Sequence, residues 1–189
     1  MRGRIFQTVF RHAKGLAERE QLRSSSDADL YHSFFVNGSH AAFSSLVERH
    51  GPMVWGVCLN NLRREADAED AFQSTFLTLA KAGSSLRDPA CLGGWLHRVA
   101  VQICARVKRT EGRRRTRETA AATTESARPE PDAEWQELHT SVHEEIDRLP
   151  DRLRTVLILC GLEGVRQTEA AVRLGLKVNT VTALVSRAR

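Results

Sequence analysis

The stretch QTEAAVRLGLKVNTVTALVSRAR, residues 167–189, reads as two short helices crossing at a turn. Ala171 supplies the small residue where the helices cross, and Gly175, four positions on, supplies the turn. Ala170, Leu174, Leu176, Val181 and either Leu184 or Val185 fall on the inward positions, and Gly175 suits a left-handed helix end. Asn179 or Thr180 is placed to cap the second helix, expected over about Asn179–Arg189. That helix turns Thr180, Thr182, Ser186 and Arg187 outward, with Lys177 and Asn179 at its start. Hydroxyls, amides and guanidinium groups are the types that contact phosphates and base edges. A plain helical hairpin with a glycine turn is the competing reading. From Gly164 to Arg189 five basic residues stand against Glu169, a net of +4.

Upstream, charge divides the chain. Residues 97–117 hold eight basic side chains and Glu111, a net of +7, whereas residues 118–137 hold six acids and Arg128, a net of −5. The acidic block includes Pro129 and Pro131 and has little to bury, so 113–137 reads as a flexible linker. It separates a lobe at 27–112 from one at 138–189, and 1–26 reads as an extension. Phe43, Leu46, Val47 and His50 predict one helix face ending near Gly51-Pro52, and Val54, Val57, Cys58 and Leu62 the next. Asp67 is expected to cap a third helix with Ala68, Phe72, Thr75, Phe76 and Leu79 inward and Asp70, Gln73, Ser74 and Thr78 outward. A fourth runs from Leu92 through Trp95, Leu96, Val99, Ala100 and Ile103 into the basic block. Val142, Ile146 and Leu149, then Leu153, Val156, Leu157 and Cys160, suggest two helices broken at Pro150. Sustained period-two alternation is absent, so the fold class is all-α.

The 189 residues are 41% hydrophobic and 27% charged with a net charge of +5, a balance that permits a nucleic-acid partner. No apolar run approaches the ~18 residues of a membrane span. Ile5, Phe6, Val9 and Phe10 are too interrupted for a secretory leader, although their spacing admits a membrane-surface helix. Cys58, Cys91, Cys104 and Cys160 form no C-x-x-C and read as reduced core residues of a cytoplasmic protein. Catalysis, metal and cofactor are not expected. His139 and His143 lack the glutamate that a zinc hydrolase places after the first histidine, Thr140 standing there, and read as a solvated surface. Trp55, Trp95 and Trp135 read as packing residues.

Three blocks in order then resemble bacterial RNA polymerase sigma factors of the extracytoplasmic-function (ECF) group. Asp67 to Phe76 resembles the region-two helix that binds polymerase, and Leu92 to Ala100 the segment leading to the minus-ten element. Leu149 to Gly164 with Thr168 to Arg189 resembles region four, which reads the minus-thirty-five element. The resemblance implies two small helical domains, with core RNA polymerase and promoter DNA as partners and an anti-sigma factor admitted as a third. It implies polymerase contacts at Asp67, Asp70 and Gln73. Minus-ten contacts would come from Arg98, Arg106, Lys108 and Arg109, with Ser84–Asp88, including Ser85 and Arg87, in the loop that receives a flipped base. Lys177, Asn179, Thr180, Thr182, Ser186 and Arg187 would meet the upstream element. The chain departs from the family at Ser74, where an acid is usual, at Lys177, where proline is common, and at Thr182–Val185, usually basic or polar. Two alternatives stand beside this: a helix-turn-helix regulator that is not a polymerase subunit, and a sigma-like remnant serving as an interaction module.

Overall fold

The computed structural model describes residues 22, 24–82, 86–121, 141–143 and 145–188. Every regular element among them is helical. The extension at 1–21, Ser84 and Ser85, Trp135, His139 and the stretch 122–140 lie outside the described residues.

The first lobe is four helices: α1 (Asp27–Asn37), α2 (His40–Asn61), α3 (Glu65–Ala82) and α4 (Leu92–Ala121), the last preceded by a 3-10 turn at Pro89–Cys91. Ser26 caps α1, accepting from the Asp29 backbone N–H while the Asp29 carboxylate reaches back to the Ser26 N–H. Their shared core is Leu30, Leu46, Val54, Cys58, Ala68, Leu79, Leu92, Leu96 and Ala100, with Trp55 edge-on to Phe72 at 5.8 Å between ring centres. The second lobe begins with helical turns at 141–143 and 145–148 and continues in α5 (Asp151–Leu157). A single π-helical turn, Ile158–Leu162, extends α5 and closes on Glu163, whose N–H bonds Ile158 O at 2.9 Å. Then come α6 (Gln167–Leu174) and α7 (Val178–Ala188), gathered on Val156, Leu159, Ala170, Ala171, Leu174 and Val181. Ile146 and Ile158 are buried with the first lobe's core instead, so the lobes share a packed boundary.

The structure shifts several expected boundaries. α2 runs unbroken through Gly51-Pro52, where the pattern predicted a stop. Proline there removes the bond to Glu48's carbonyl and costs about 3 kcal/mol. However, Leu46, His50, Met53, Val54, Val57 and Cys58 form one continuous buried face, each apolar one contributing roughly 1.5–3 kcal/mol. Burial wins, and Pro52 and Glu48 face solvent, where water can serve the freed carbonyl. α3 begins at Glu65, with the Ala68 N–H already bonded to Arg64 O at 3.1 Å, so Asp67 sits inside the first turn and does not cap it. α7 begins at Val178 with the Lys177 carbonyl taking the first bonds, from Thr180 and Val181, so neither Asn179 nor Thr180 is its cap. α4 continues to Ala121, past residue 113 where the sequence suggested a linker.

One buried charge cluster ties α1 to α2. Asp27, fully buried, accepts from Arg49 Nη1 at 2.6 Å and lies 3.1 Å from His50 Nε2. An ionised carboxylate only accepts, so His50 carries its proton on Nε2. Burial pushes the Asp27 carboxyl upward, but His50 and Arg49 together outweigh it and hold it below the ordinary aspartate range. Arg49 also holds the Ser25 carbonyl at 3.0 Å, fixing the entry to α1. The four cysteines are free, and Cys91's thiol is pushed up to about 11 by burial and by Asp88. Asp27→Ala strips the Arg49 guanidinium of its counter-charge and the His50 Nε2–H of its acceptor, and is expected to destabilise the chain by about 3–5 kcal/mol in urea titration at pH 7. Because the folded carboxyl is depressed, the wild-type advantage should be present above the ordinary aspartate pKa and fade as pH falls through the folded value.

Candidate nucleic-acid interface

The helix-turn-helix closes around Gly175, at φ 63° and ψ 31°. The Leu176 N–H bonds Ala171 O at 2.9 Å and the Gly175 N–H bonds Val172 O at 3.2 Å, the reciprocal pair of a glycine-terminated helix. That sharp exit lets α7 cross α6 with Val181 fully buried against Ala170, Ala171 and Leu174. Leu184 and Val185 half-bury on the same side. The opposite face of α7 is left to solvent: Lys177, Asn179, Thr180, Thr182, Ser186 and Arg187 are all exposed. Leu184 stands among the positions where the family is usually basic or polar, and here it packs.

Gln167 belongs to the same face and escaped the sequence reading. Thr182 Oγ1 donates to Gln167 Oε1 at 2.7 Å, bracing the first residue of α6 against α7. The pair lies fifteen positions apart across the turn, so no local spacing rule links them. Arg173, by contrast, is spent inside the lobe on Glu163, at 3.4 Å, and on Glu169.

In the first lobe, Asp70 and Gln73 are exposed on α3, and Asp67 is half-buried with Arg64 Nε 3.7 Å away. Arg106 shares a recess of ≈ 340 Å³ with Arg64, Asp67, Val107, Thr110 and Glu111, so the acidic and basic candidate surfaces adjoin. Arg87 and Arg109 are exposed, the latter turning its Nε back to Ala105 O at 3.1 Å. Lys108 leans inward, 3.3 Å from Asn61 Oδ1, and burial lowers its pKa. Arg98 is engaged across the lobe boundary: Nη2 donates to Asp147 O at 2.9 Å. His143, expected on a solvated surface, is buried with its Nδ1 3.0 Å from His97 Nε2. Ser85 lies outside the described residues.

Among the described residues no cluster of histidine, cysteine or carboxylate side chains is placed to hold a metal ion, and no helix is long and apolar enough to cross a membrane. The arrangement offers two surfaces for macromolecules: an acidic-to-basic strip along α3 and α4, and the polar face of α7.

Comparison with known proteins matches a stretch of each lobe to a family. Residues 46–114 match the family described as Sigma-70 region 2, and residues 139–189 match Sigma-70, region 4. Over whole chains, SigM of Mycobacterium tuberculosis, an ECF RNA polymerase sigma factor, is 30% identical across 87% of this chain and 81% of its own. SigE of Mycolicibacterium smegmatis, of the same description, is 26% identical across 94% of this chain and 72% of its own. Among solved structures, the sigma factor RpoE in complex with the anti-sigma factor NepR from Bartonella quintana aligns over 78% of this chain and 91% of that chain, at 22% identity and a TM-score of 0.39. Gly175→Val should lower the melting temperature of the second lobe, because a β-branched side chain is strained at this left-handed φ. We expect a loss of about 1–3 kcal/mol by thermal denaturation, with the first lobe's α-helical signal retained.

Proposed function

The chain belongs to the extracytoplasmic-function sigma factors of RNA polymerase, and we propose which of its surfaces performs each part of promoter-specific initiation. Its partners are core RNA polymerase and promoter DNA. The unit over 27–112 docks polymerase through Asp67, Asp70 and Gln73, and the unit over 138–189 reads the minus-thirty-five element, with 113–137 connecting them. What carries this reading is the exposed polar face of α7, held rigid by the buried Val181, Ala171 and Leu174 beneath it.

In the upstream element α7 enters the major groove, where Asn179, Thr180, Thr182 and Ser186 meet base edges and Lys177 and Arg187 meet phosphates. A face with few cations relies on hydroxyl and amide contacts, so its discrimination rests on fit more than on charge. In the first lobe Arg87, Arg106 and Arg109 track the strand opened at the minus-ten element, with Ser85 and Arg98 beside it. The basic strip neutralises phosphate while unpaired bases are captured. Sigma factors act in general as non-enzymatic initiation factors; by the same reading this chain supplies binding and positioning, the polymerase supplies the chemistry, and the site of action is the cytoplasm. A stand-alone helix-turn-helix regulator is not favoured, because the region-two match accounts for the first lobe.

Run-off transcription with purified core polymerase over a promoter library tests the assignment: specific transcripts that need this chain support it, and their absence overturns it. Asp70→Ala with Gln73→Ala should weaken binding to core about tenfold, or 1.4 kcal/mol, by fluorescence titration, with an unchanged melting profile. Arg187→Ala should lower the slope of log affinity against log salt by about 0.9 on a selected promoter, one phosphate contact.

A further inference from the structure

Thr182 stands one turn into α7, exposed, in the stretch where the family is usually basic or polar. A cation there would seek phosphate or the two acceptors of guanine. A hydroxyl recognises something else. Its oxygen carries one proton and two lone pairs. That proton is held inside the protein, because Thr182 Oγ1 lies 2.7 Å from Gln167 Oε1 and 3.1 Å from Val178 O, both acceptors. Whichever of them takes it, Thr182 meets the groove as an acceptor.

Gln167 is fixed by the same contact. It is the first residue of α6, across the turn at Gly175, and anchoring its Oε1 on Thr182 orients the rest of the amide. The amide nitrogen keeps two N–H donors beside the threonine oxygen. Fifteen positions apart in the chain, the two side chains thus set one donor and one acceptor next to each other on the polar face of the helix-turn-helix. Val181, packed beneath on Ala170, Ala171 and Leu174, holds the two helices in this register. The pair is therefore preorganised before any DNA arrives.

The base edges of the major groove sort against that pattern. Adenine offers the N7 acceptor beside the N6 amino donor. Guanine offers two acceptors, cytosine one donor, and thymine one acceptor and a methyl group. Adenine alone answers both halves of the pair.

We infer that Gln167 and Thr182 form a composite reader of one adenine in the upstream element, Gln167 Nε2 donating to N7 and Thr182 Oγ1 accepting from the N6 amino group. The inference rests on the minus-thirty-five assignment proposed above, and adds to it the base and a reading residue from outside α7. Each half fails in its own way. Without the Gln167 amide the acceptor remains, which adenine and cytosine both satisfy. Without the Thr182 hydroxyl the donor remains, which adenine and guanine both satisfy.

The test is promoter selection by core polymerase loaded with the full chain, from a library randomised across the upstream element, followed by affinity titration on the selected duplex. Wild type should prefer adenine at one position by about tenfold over any other base. Gln167→Ala should admit cytosine there and Thr182→Val should admit guanine. The melting profile and the salt slope should stay as in wild type, since no charge is removed. Replacing that adenine by 7-deazaadenine, which lacks the N7 acceptor, should weaken wild type about fivefold and leave Gln167→Ala unaffected. Equal losses on every sequence, the mark of a backbone contact, would overturn the inference. So would a wild-type base profile kept by both variants, or a 7-deazaadenine penalty kept by Gln167→Ala. A loaded polymerase that selects no upstream element overturns the sigma-factor assignment and the base reading together, whereas a selected element without these shifts overturns the base reading alone.

Discussion

A single helix imposes order on the whole molecule. α4 is thirty residues long, and its first turns bury Leu92, Leu96, Ala100 and Cys104 in the first lobe's core. Another side of the same turns carries Gly94, the seat for Thr155 of the second lobe, while Gly93 lies against His50 of the first. Further along, the helix emerges from the core and carries Arg106 and Arg109 into solvent. Burial fixes the helix axis, so the positions of the seat and of the cations follow from the same stripe of apolar residues. A substitution that rotated α4 would displace all three together.

The polar interior is organised around that helix too. Asp27 joins Arg49 and His50, with His50 lying against Gly93, and Arg154 performs the matching service in the second lobe. Its buried guanidinium holds the carbonyls of Ile146 at 3.1 Å, Asp147 at 2.7 Å and Leu149 at 2.6 Å, ending the helical turns at 145–148 where Pro150 forces a break. Such buried cations are tolerable because every contact is charge-assisted. Both clusters lie close to the lobe boundary, so the geometry of that boundary inherits their rigidity.

How much of this was legible in the residues depended on whether the signal was local. The turn at Gly175, the inward Val181 and Ala171, and the outward Asp70 and Gln73 all follow from helical periodicity and one special φ. The continuous α2 did not, because proline is a local breaker while the apolar face that overrides it is tertiary. The caps assigned to Asp67 and to Asn179 or Thr180 failed for a related reason: helices here start on a backbone carbonyl a turn earlier. Most telling are His143, read as a solvated residue, and the contact that Arg98 makes within the chain. Their partners, His97 and Asp147, lie 46 and 49 positions away, beyond any spacing rule. Gly94 was visible as sequence, yet its meaning required seeing Thr155 above it.

Two distant DNA contacts made by one polymerase-bound chain form the heart of the account. Core polymerase loaded with this chain can be incubated with random genomic fragments, and the retained DNA sequenced after nuclease trimming. The account predicts two protected blocks about 25 base pairs apart, with neither block protected by polymerase alone. Protection of the same pair by the chain without polymerase, or of only one block with it, would contradict the account.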